Sequence, residues 1–280
     1  MTFISYAQNF EDVMLWRALK HVENGFYIDV GANDPEEDSV TKAFYDRGWH
    51  GINIEPVPEY YKRLSDQRPH DINLAMAAGA SDGELTLFDI PCVRGWASPN
   101  EIIADNYRKE GFDVEVLTVP ARTLTSICEE YATGEIHFLK IDVEGHEGEV
   151  IRGMNFGIWR PWVLVIEAIQ PNSQISIHEQ WEKVFIEQGY SFVYFDGLNR
   201  YYVADEHKEI EGELKVQPNV LDGFVTAAQA KALEAYSKLE ERAQQTENQL
   251  AAVYASVSWR FTRPLRAVSL LLQRFKSKFH

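Results

Sequence analysis

The stretch GFYIDVGANDPEEDSVTKAFYDRGWHGINIEP, Gly25 to Pro56, decides how the rest of the chain is read. Phe26 to Val30 is a short apolar run broken at once by Gly31, Ala32 and Asn33, the pattern of a buried strand entering a tight turn. An acidic loop follows. From Ser39 to Arg47 the spacing turns helical, with Val40, Ala43 and Phe44 on one face and Gly48 as the closing residue. A second strand, Gly51 to Ile54, ends on Glu55. Strand, glycine turn, helix, strand and acid make one βαβ unit, and parallel sheets built from such units take ligands at the carboxyl ends of their strands.

A dinucleotide fingerprint would need three glycines at fixed spacing to bring a pyrophosphate against a helix N-terminus, and only Gly31 is present. What remains is Asp29 in the first strand, a small-residue turn at Gly31, Ala32 and Asn33, and Glu55 at the end of the second strand. That set suits S-adenosylmethionine, whose sulfonium and amino groups are cationic and whose ribose diol calls for a carboxylate acceptor. Asp29, Gly31, Ala32, Asn33 and Glu55 are therefore the expected cofactor contacts, joined by Asp142 from a later strand. Ser39 and Thr41 are expected as helix-start residues.

FYIDVGAND, SVTKAFYDRGWHGINIEP and FLKIDVEGHEGEVIRG (Phe138 to Gly153) together resemble the FkbM-type family of S-adenosylmethionine-dependent O-methyltransferases. The opening SYAQNFEDVMLWRAL, Ser5 to Leu19, is similar to the N-terminal segment of members from bacterial polysaccharide pathways, and the resemblance covers about Ser5 to Val203. It implies a Rossmann-like class I methyltransferase sheet of seven strands with the last antiparallel. It also implies methyl transfer to a sugar hydroxyl of a bacterial surface glycan or its precursor. Two alternatives stay open: a small-molecule O-methyltransferase of secondary metabolism, and a catalytically silent cofactor-binding scaffold for glycan-assembly enzymes.

Composition sets the outer bounds. The 280 residues are 45% hydrophobic and 12% aromatic, enough for one sizeable core and an appendage. A net charge of −16 argues against general nucleic-acid binding, which needs basic patches. Cys92 and Cys128 stand apart without a thiolate-metal pattern. No signal-peptide pattern precedes the first strand and no apolar run approaches a membrane span, so the expected location is the cytoplasm.

Along the chain, Ser5 to Lys20 reads as a helix with Phe10, Val13, Met14 and Ala18 on one face. Pro58 opens a polar helix from Glu59 to Gln67, and Ile72 to Ala78 reads as the third strand, with Asp82-Gly83 as a hairpin turn into Glu84 to Asp89. Pro91 to Leu117 is irregular and carries Trp96, which either closes over the ligand or fills a surface groove. Ile136 to Ile141 is a buried strand ending at Asp142, with Val143 to Glu147 turning into a helix. Trp162 to Ile169 is the next strand, with Glu167 near its end, and Ile177 to Gln188 is read as one helix. Tyr190 to Phe195 and Arg200 to Val203 flank Asp196-Gly197 as a closing antiparallel hairpin.

Asp142, Glu144 and His146 are the candidate catalytic residues, because a sugar hydroxyl is a poor nucleophile and gains from a general base. His146 titrates in the right range. The resemblance also leaves a divalent cation open, since some related sugar O-methyltransferases use one and Asp142 with Glu167 would supply oxygen ligands; no dense carboxylate cluster at ligand spacing is visible, and no metal ligand is assigned.

The catalytic domain is expected over residues 1–205 and a charged linker over 206–223. A helical segment over 224–257 places Ala232, Tyr236, Leu239, Ala243, Thr246, Leu250, Val253 and Val257 at alternating spacings of four and three, a short heptad pattern that admits a coiled coil or homo-oligomer. Residues 258–280 carry Arg260, Arg263, Arg266, Arg274, Lys276 and Lys278 with no acid, and Leu270, Leu271, Leu272 and Phe275 as an apolar side. A basic amphipathic tail of this kind suits the anionic inner face of a membrane. Its SxSWRxTxPLR string is similar to tails of bacterial glycosyltransferases that assemble surface polysaccharide.

Overall fold

The computed structural model describes residues 2–171 and 173–276, with side chains to residue 269. The chain divides into two compact units, Met1–Val225 and Thr226–His280.

The first unit begins with β1 (Phe3–Ser5) and α1 (Glu11–Leu19), followed by β2 (Phe26–Val30), α2 (Lys42–Tyr45) and β3 (His50–Ile54). Next come α3 (Pro58–Gln67), β4 (Ile72–Leu74), β5 (Ala77–Ala78), β6 (Gly83–Asp89), α4 (Glu101–Glu110), β7 (Glu115–Arg122) and α5 (Leu124–Tyr131). The second half runs β8 (Phe138–Ile141), α6 (Glu147–Arg152), β9 (Val163–Glu167), α7 (Lys183–Ile186), β10 (Tyr190–Phe195), β11 (Asn199–Ala204), α8 (Glu211–Leu214) and β12 (Phe224–Thr226).

Seven strands form a mixed sheet in the order β10-β11-β9-β8-β2-β3-β4. β2, β3, β4, β8 and β9 pair in parallel, and β11 alone runs against its neighbours on both sides. The central strands read as continuous apolar runs because both faces are covered. Ile28, Val30, Leu139, Ile141, Leu164 and Ile166 point into one core with Ile127, Val150 and Phe185 from α5, α6 and α7. The alternate residues Tyr27, Phe138, Val163, Val165, Tyr201 and Val203 point into the other, against Met14, Leu15, Phe44 and Trp49. Side-chain alternation along a strand thus sorts one run of sequence into two cores.

Several elements differ from the expected ones for identifiable reasons. The helix expected over Ser5 to Lys20 starts at Glu11. Asp12 accepts hydrogen bonds from Ser5 Oγ (2.7 Å) and the backbone N–H groups of Tyr6 (2.7 Å) and Ala7 (3.3 Å), which holds the preceding chain out of the helix. The run Ile72 to Ala78 splits: Ile72–Leu74 completes the main sheet, while Ala77–Ala78 joins β6 and β7 in a separate three-stranded sheet. β6 pairs with β7 along its whole length, so Asp82-Gly83 is not a hairpin turn. Asp82 instead accepts from Thr123 N (2.7 Å) and Ser126 Oγ (3.2 Å) at the start of α5. The helix expected over Ile177 to Gln188 is a 3₁₀ turn, His178–Gln180, then α7, because Trp181 between them turns into the core with a non-helical φ of −135°.

Residues 206–223, expected as a linker from their charge, pack on the unit. A 3₁₀ segment (Asp205–Ile210) and α8 bury Ile210 and Leu214 beside the residues of α1. β12 pairs with β1, and Phe224 lies 5.2 Å from the ring of Phe10.

In the second unit, α9 (Ala227–Ala255) is opened by a capping box between Thr226 and Gln229. It ends at Ser256, whose extended backbone and side-chain bond to Trp259 N start α10 (Val257–Phe261). α11 (Arg263–Lys276) follows. The heptad residues Ala232, Tyr236, Leu239, Ala243, Thr246, Leu250, Val253 and Val257 are all exposed. Arg266 stacks on Trp259 with its guanidinium 3.6 Å from the ring centroid. Lys278 and the side chains of Leu270, Leu271, Leu272, Arg274, Phe275 and Lys276 lie outside the described residues. No helix among the described residues is long and apolar enough to cross a membrane.

Candidate active site

A cleft of about 220 Å³ opens over the carboxyl ends of β2, β3 and β8. Its floor is the turn Gly31–Ala32–Asn33, tied down by Gly31 N and Ala32 N donating to the carbonyl of Ile54 (3.0 and 3.2 Å). Gly31 has a φ of +76°, and a Cβ there would lie 1.9 Å from the carbonyl oxygen of Asp142. The turn therefore reaches the end of β8 only because residue 31 has no side chain.

Glu55 lines the cleft from the end of β3. Its Oε2 accepts from Asn33 N (2.8 Å) and its Oε1 from Val57 N (2.8 Å), which fixes the carboxylate across the mouth of the turn. Burial pushes its pKa up to about 7 against the lowering effect of those two bonds and of Lys140. Asn33 sits at φ +50° with a buried Oδ1 that has no hydrogen-bond partner.

The structure places Asp29 beneath the cleft rather than along its wall. Asp29 is 1% exposed, points with Tyr27 toward the α1 side, and accepts from Thr41 Oγ1 (2.9 Å). Its other oxygen is 3.6 Å from Lys140 Nζ, which also reaches Asp142 Oδ2 (3.3 Å) and the carbonyl of Gly31 (3.3 Å). Burial alone would lower the lysine's pKa, but Asp142 and Asp29 outweigh it and hold the ammonium charged. On the far side Arg68, 1% exposed, donates to Thr41 Oγ1 (2.6 Å), Ser39 Oγ (2.7 Å) and the carbonyl of Pro35. Ser39 and Thr41 are thus members of a buried polar chain, Arg68–Thr41–Asp29–Lys140–Asp142, that backs the site.

The loop after β8 brings Asp142, Glu144 and His146 into the cleft. Glu144 has a φ of +54°, and its carbonyl accepts from Ser98 Oγ (2.8 Å). Glu147, fully buried, accepts from Val143 N (3.1 Å) and Gly145 N (3.0 Å) and pins the same loop. Burial, then Asp142 and Glu147, raise the pKa of Glu144, and burial raises that of Glu147 to about 7. Burial lowers that of His146, so its imidazole is neutral near pH 7 and able to accept a proton.

Glu167, at the end of the adjacent β9, converges on the same point: one carboxylate oxygen from each of Asp142, Glu144 and Glu167 falls within 4.8 Å of the others. Burial, with Asp142 and Glu144 next in effect, raises the pKa of Glu167 strongly. No such cluster is evident from sequence spacing, because Glu167 arrives across the β8–β9 pairing.

The cleft has a second wall, of which the sequence reading offered only the loop that carries Trp96, and that as one of two choices. Leu85, Leu87 and Asp89 of β6, Tyr60 of α3 and Gln8 line it, together with Arg94, Gly95 and Trp96 from the loop before α4. Arg94 bridges to Glu37 (2.7 Å) and Asp38, clipping that loop to the turn after β2. Trp96 stacks on Tyr107 with ring centroids 4.7 Å apart and an interplanar angle of 14°. Trp96 thus lines the cleft while also packing on Tyr107 and, edge-on, on Phe112.

Residues 29–192 match the family described as Methyltransferase FkbM domain. No curated protein matches the chain. The matched span takes in the turn after β2, the ends of β3, β8 and β9, and the whole β6–β7 wall. With more than half of its length so matched, the chain belongs to the FkbM methyltransferase domain family.

Proposed function

We propose that the protein transfers a methyl group from S-adenosylmethionine to a hydroxyl oxygen, and that the acceptor is a sugar of a bacterial surface glycan or its precursor. The observation that carries the first part is the pairing of the glycine turn with Glu55 across one cleft. Glu55 spends one lone pair of each oxygen on a backbone N–H and keeps others for ribose hydroxyls. The orphaned Oδ1 of Asn33 offers an acceptor for an ammonium, and Asp142 and Glu144 supply negative charge for a cationic ligand. The residues present fit the cofactor. The strand order, with only β11 reversed, supports the class I methyltransferase reading of the sheet.

When bound, S-adenosylmethionine supplies an electrophilic methyl on a positively charged sulfur. The protein's part is positioning, which in favourable cases contributes about 7–11 kcal/mol to lowering a barrier. His146 and Asp142 stand where an acceptor hydroxyl would lose its proton, a role worth about 10²- to 10⁴-fold. Trp96 offers a flat apolar wall at the mouth, suited to a sugar ring. The glycan assignment draws on the basic tail, whose arginines and lysines would each gain about 1 kcal/mol at an anionic membrane surface. On this reading the enzyme works at the cytoplasmic face, with α9 available to pair with a second copy.

Calorimetric titration of the full chain with S-adenosylhomocysteine, beside Glu55→Gln, tests the cofactor site. Saturable binding that weakens in the variant supports it; a folded wild type that binds nothing promotes the scaffold alternative. Labelled methyl entering an envelope glycan fraction supports the acceptor class, and label confined to small molecules replaces it with a secondary-metabolite acceptor.

A further inference from the structure

We propose that Asp142, Glu144 and Glu167 bind a single divalent cation of the hard, oxygen-preferring kind at the rim of the cleft. Three carboxylate oxygens contributed by two neighbouring strand ends lie within 4.8 Å of one another, a spacing that one ion with bonds of about 2.0–2.6 Å spans after small side-chain rotations.

Proximity of acids alone would not make a site. The second observation is Glu167 itself, 6% exposed and directed at the other two, with an Oε2 that has no hydrogen-bond partner. A carboxylate buried that deeply is ordinarily satisfied by donors. Those within reach are committed elsewhere: Lys140 serves Asp29, Asp142 and Gly31, and the N–H groups of Val143 and Gly145 serve Glu147. Glu147 repeats the pattern: it is fully buried, its Oε2 is also without a partner, and its charge acts on both Glu144 and Glu167. Three carboxyl groups thus meet, with the charge of a fourth acting on two of them and one ammonium to balance them, and two of the buried oxygens have no donor.

Ligand chemistry narrows the ion. All three donors are carboxylate oxygens, with no cysteine or histidine in the group, which favours Mg²⁺, Mn²⁺ or Ca²⁺ over zinc. Asp142 and Glu144 line the cleft while Glu167 closes the site from behind, so the ion's remaining positions face the cleft. A hydroxyl entering there could become a ligand and be acidified. That consequence rests on the methyl-transfer reading; the binding of the ion does not.

The test is titration of the chelator-stripped full chain with MnCl₂, followed by the loss of the free-ion electron paramagnetic resonance signal, with MgCl₂ and CaCl₂ as competitors. Wild type, Glu144→Gln, Glu167→Gln and the surface control Glu240→Gln are compared, each checked for native circular dichroism. The proposal expects one site per chain, weakened by roughly 10- to 100-fold or more in Glu144→Gln and Glu167→Gln and unchanged in the control. Should Glu167→Gln misfold, Glu144→Gln, on a residue less deeply buried, carries the comparison. A wild type without stoichiometric binding at millimolar Mn²⁺, or binding that both variants retain, overturns the site and leaves the carboxyls paired through protons. Parallel titration with S-adenosylhomocysteine separates the two readings: cofactor binding without manganese binding sinks only the cation site, and the reverse sinks only the cofactor.

Discussion

Gly31 and Asp142 meet backbone to backbone: a Cβ on Gly31 would fall 1.9 Å from the carbonyl oxygen of Asp142, and Asp142 N donates to the carbonyl of Val30 at 3.1 Å. The glycine turn after β2 and the loop after β8 are one mechanical unit through this contact. Gly31→Ala must both open the contact and adopt a φ of +76°, so it should cost on the order of 1–3 kcal/mol of stability. S-Adenosylhomocysteine binding should disappear with it. Denaturant midpoints and calorimetry read the two effects; an alanine variant that binds normally would show that the contact is dispensable.

Glu55 should make cofactor affinity depend on pH. Burial raises its pKa to about 7, with Lys140 and Asp29 as its charged neighbours, and a ligand hydroxyl donates more strongly to the ionised carboxylate than to the neutral acid. Binding then prefers the deprotonated form, so affinity rises as pH climbs from about 6 to 8 and protons are released on binding. Titration in buffers of different ionisation enthalpy measures the release. A flat profile in wild type, or an unchanged slope in Glu55→Gln, contradicts the assignment.

Lys140 neutralises two acids at once. Lys140→Met leaves Asp29 buried without a counter-charge, and loss of one partner of a buried pair costs about 3–5 kcal/mol. Adding Asp29→Asn to Lys140→Met should recover part of that loss. A double variant no more stable than the single one would mean that Thr41 and Arg68 alone satisfy Asp29.

Glu11 and Asp12 should make the fold less stable as pH rises. Both are buried acids with pKa values raised to about 7 and about 6, chiefly by burial. The folded state then holds protons that the unfolded state has already released. The stability they contribute is complete below about pH 4 and is lost as pH passes 6 to 7. His137 and His146, lowered by burial, act in the opposite sense up to about pH 6.5, so the decline is cleanest from about pH 6.5 to 7.5. Thermal melts across that window should show a falling midpoint, with a shallower slope in Glu11→Gln. A midpoint that rises through the window contradicts it.

By itself the sequence determined the central βαβ unit, its glycine turn, the acid at the end of β3 and the Asp142–His146 loop. These are local: an apolar run of five residues, a turn that needs a positive φ and an acid at a strand end are written within a few positions of one another. Tertiary structure alone decided the rest. β5 leaves the main sheet because its two alanines pair with β7, more than forty residues away. Asp29 sits under the cleft because Lys140 is its register partner on β8. Glu167 meets Asp142 and Glu144 only because β9 is laid beside β8. Residues 206–223 lie on the domain because a hydrophobic face elsewhere has room for Ile210 and Leu214. Which strands become neighbours is settled by burial over long separations, and the spacing of residues along the chain carries no record of it.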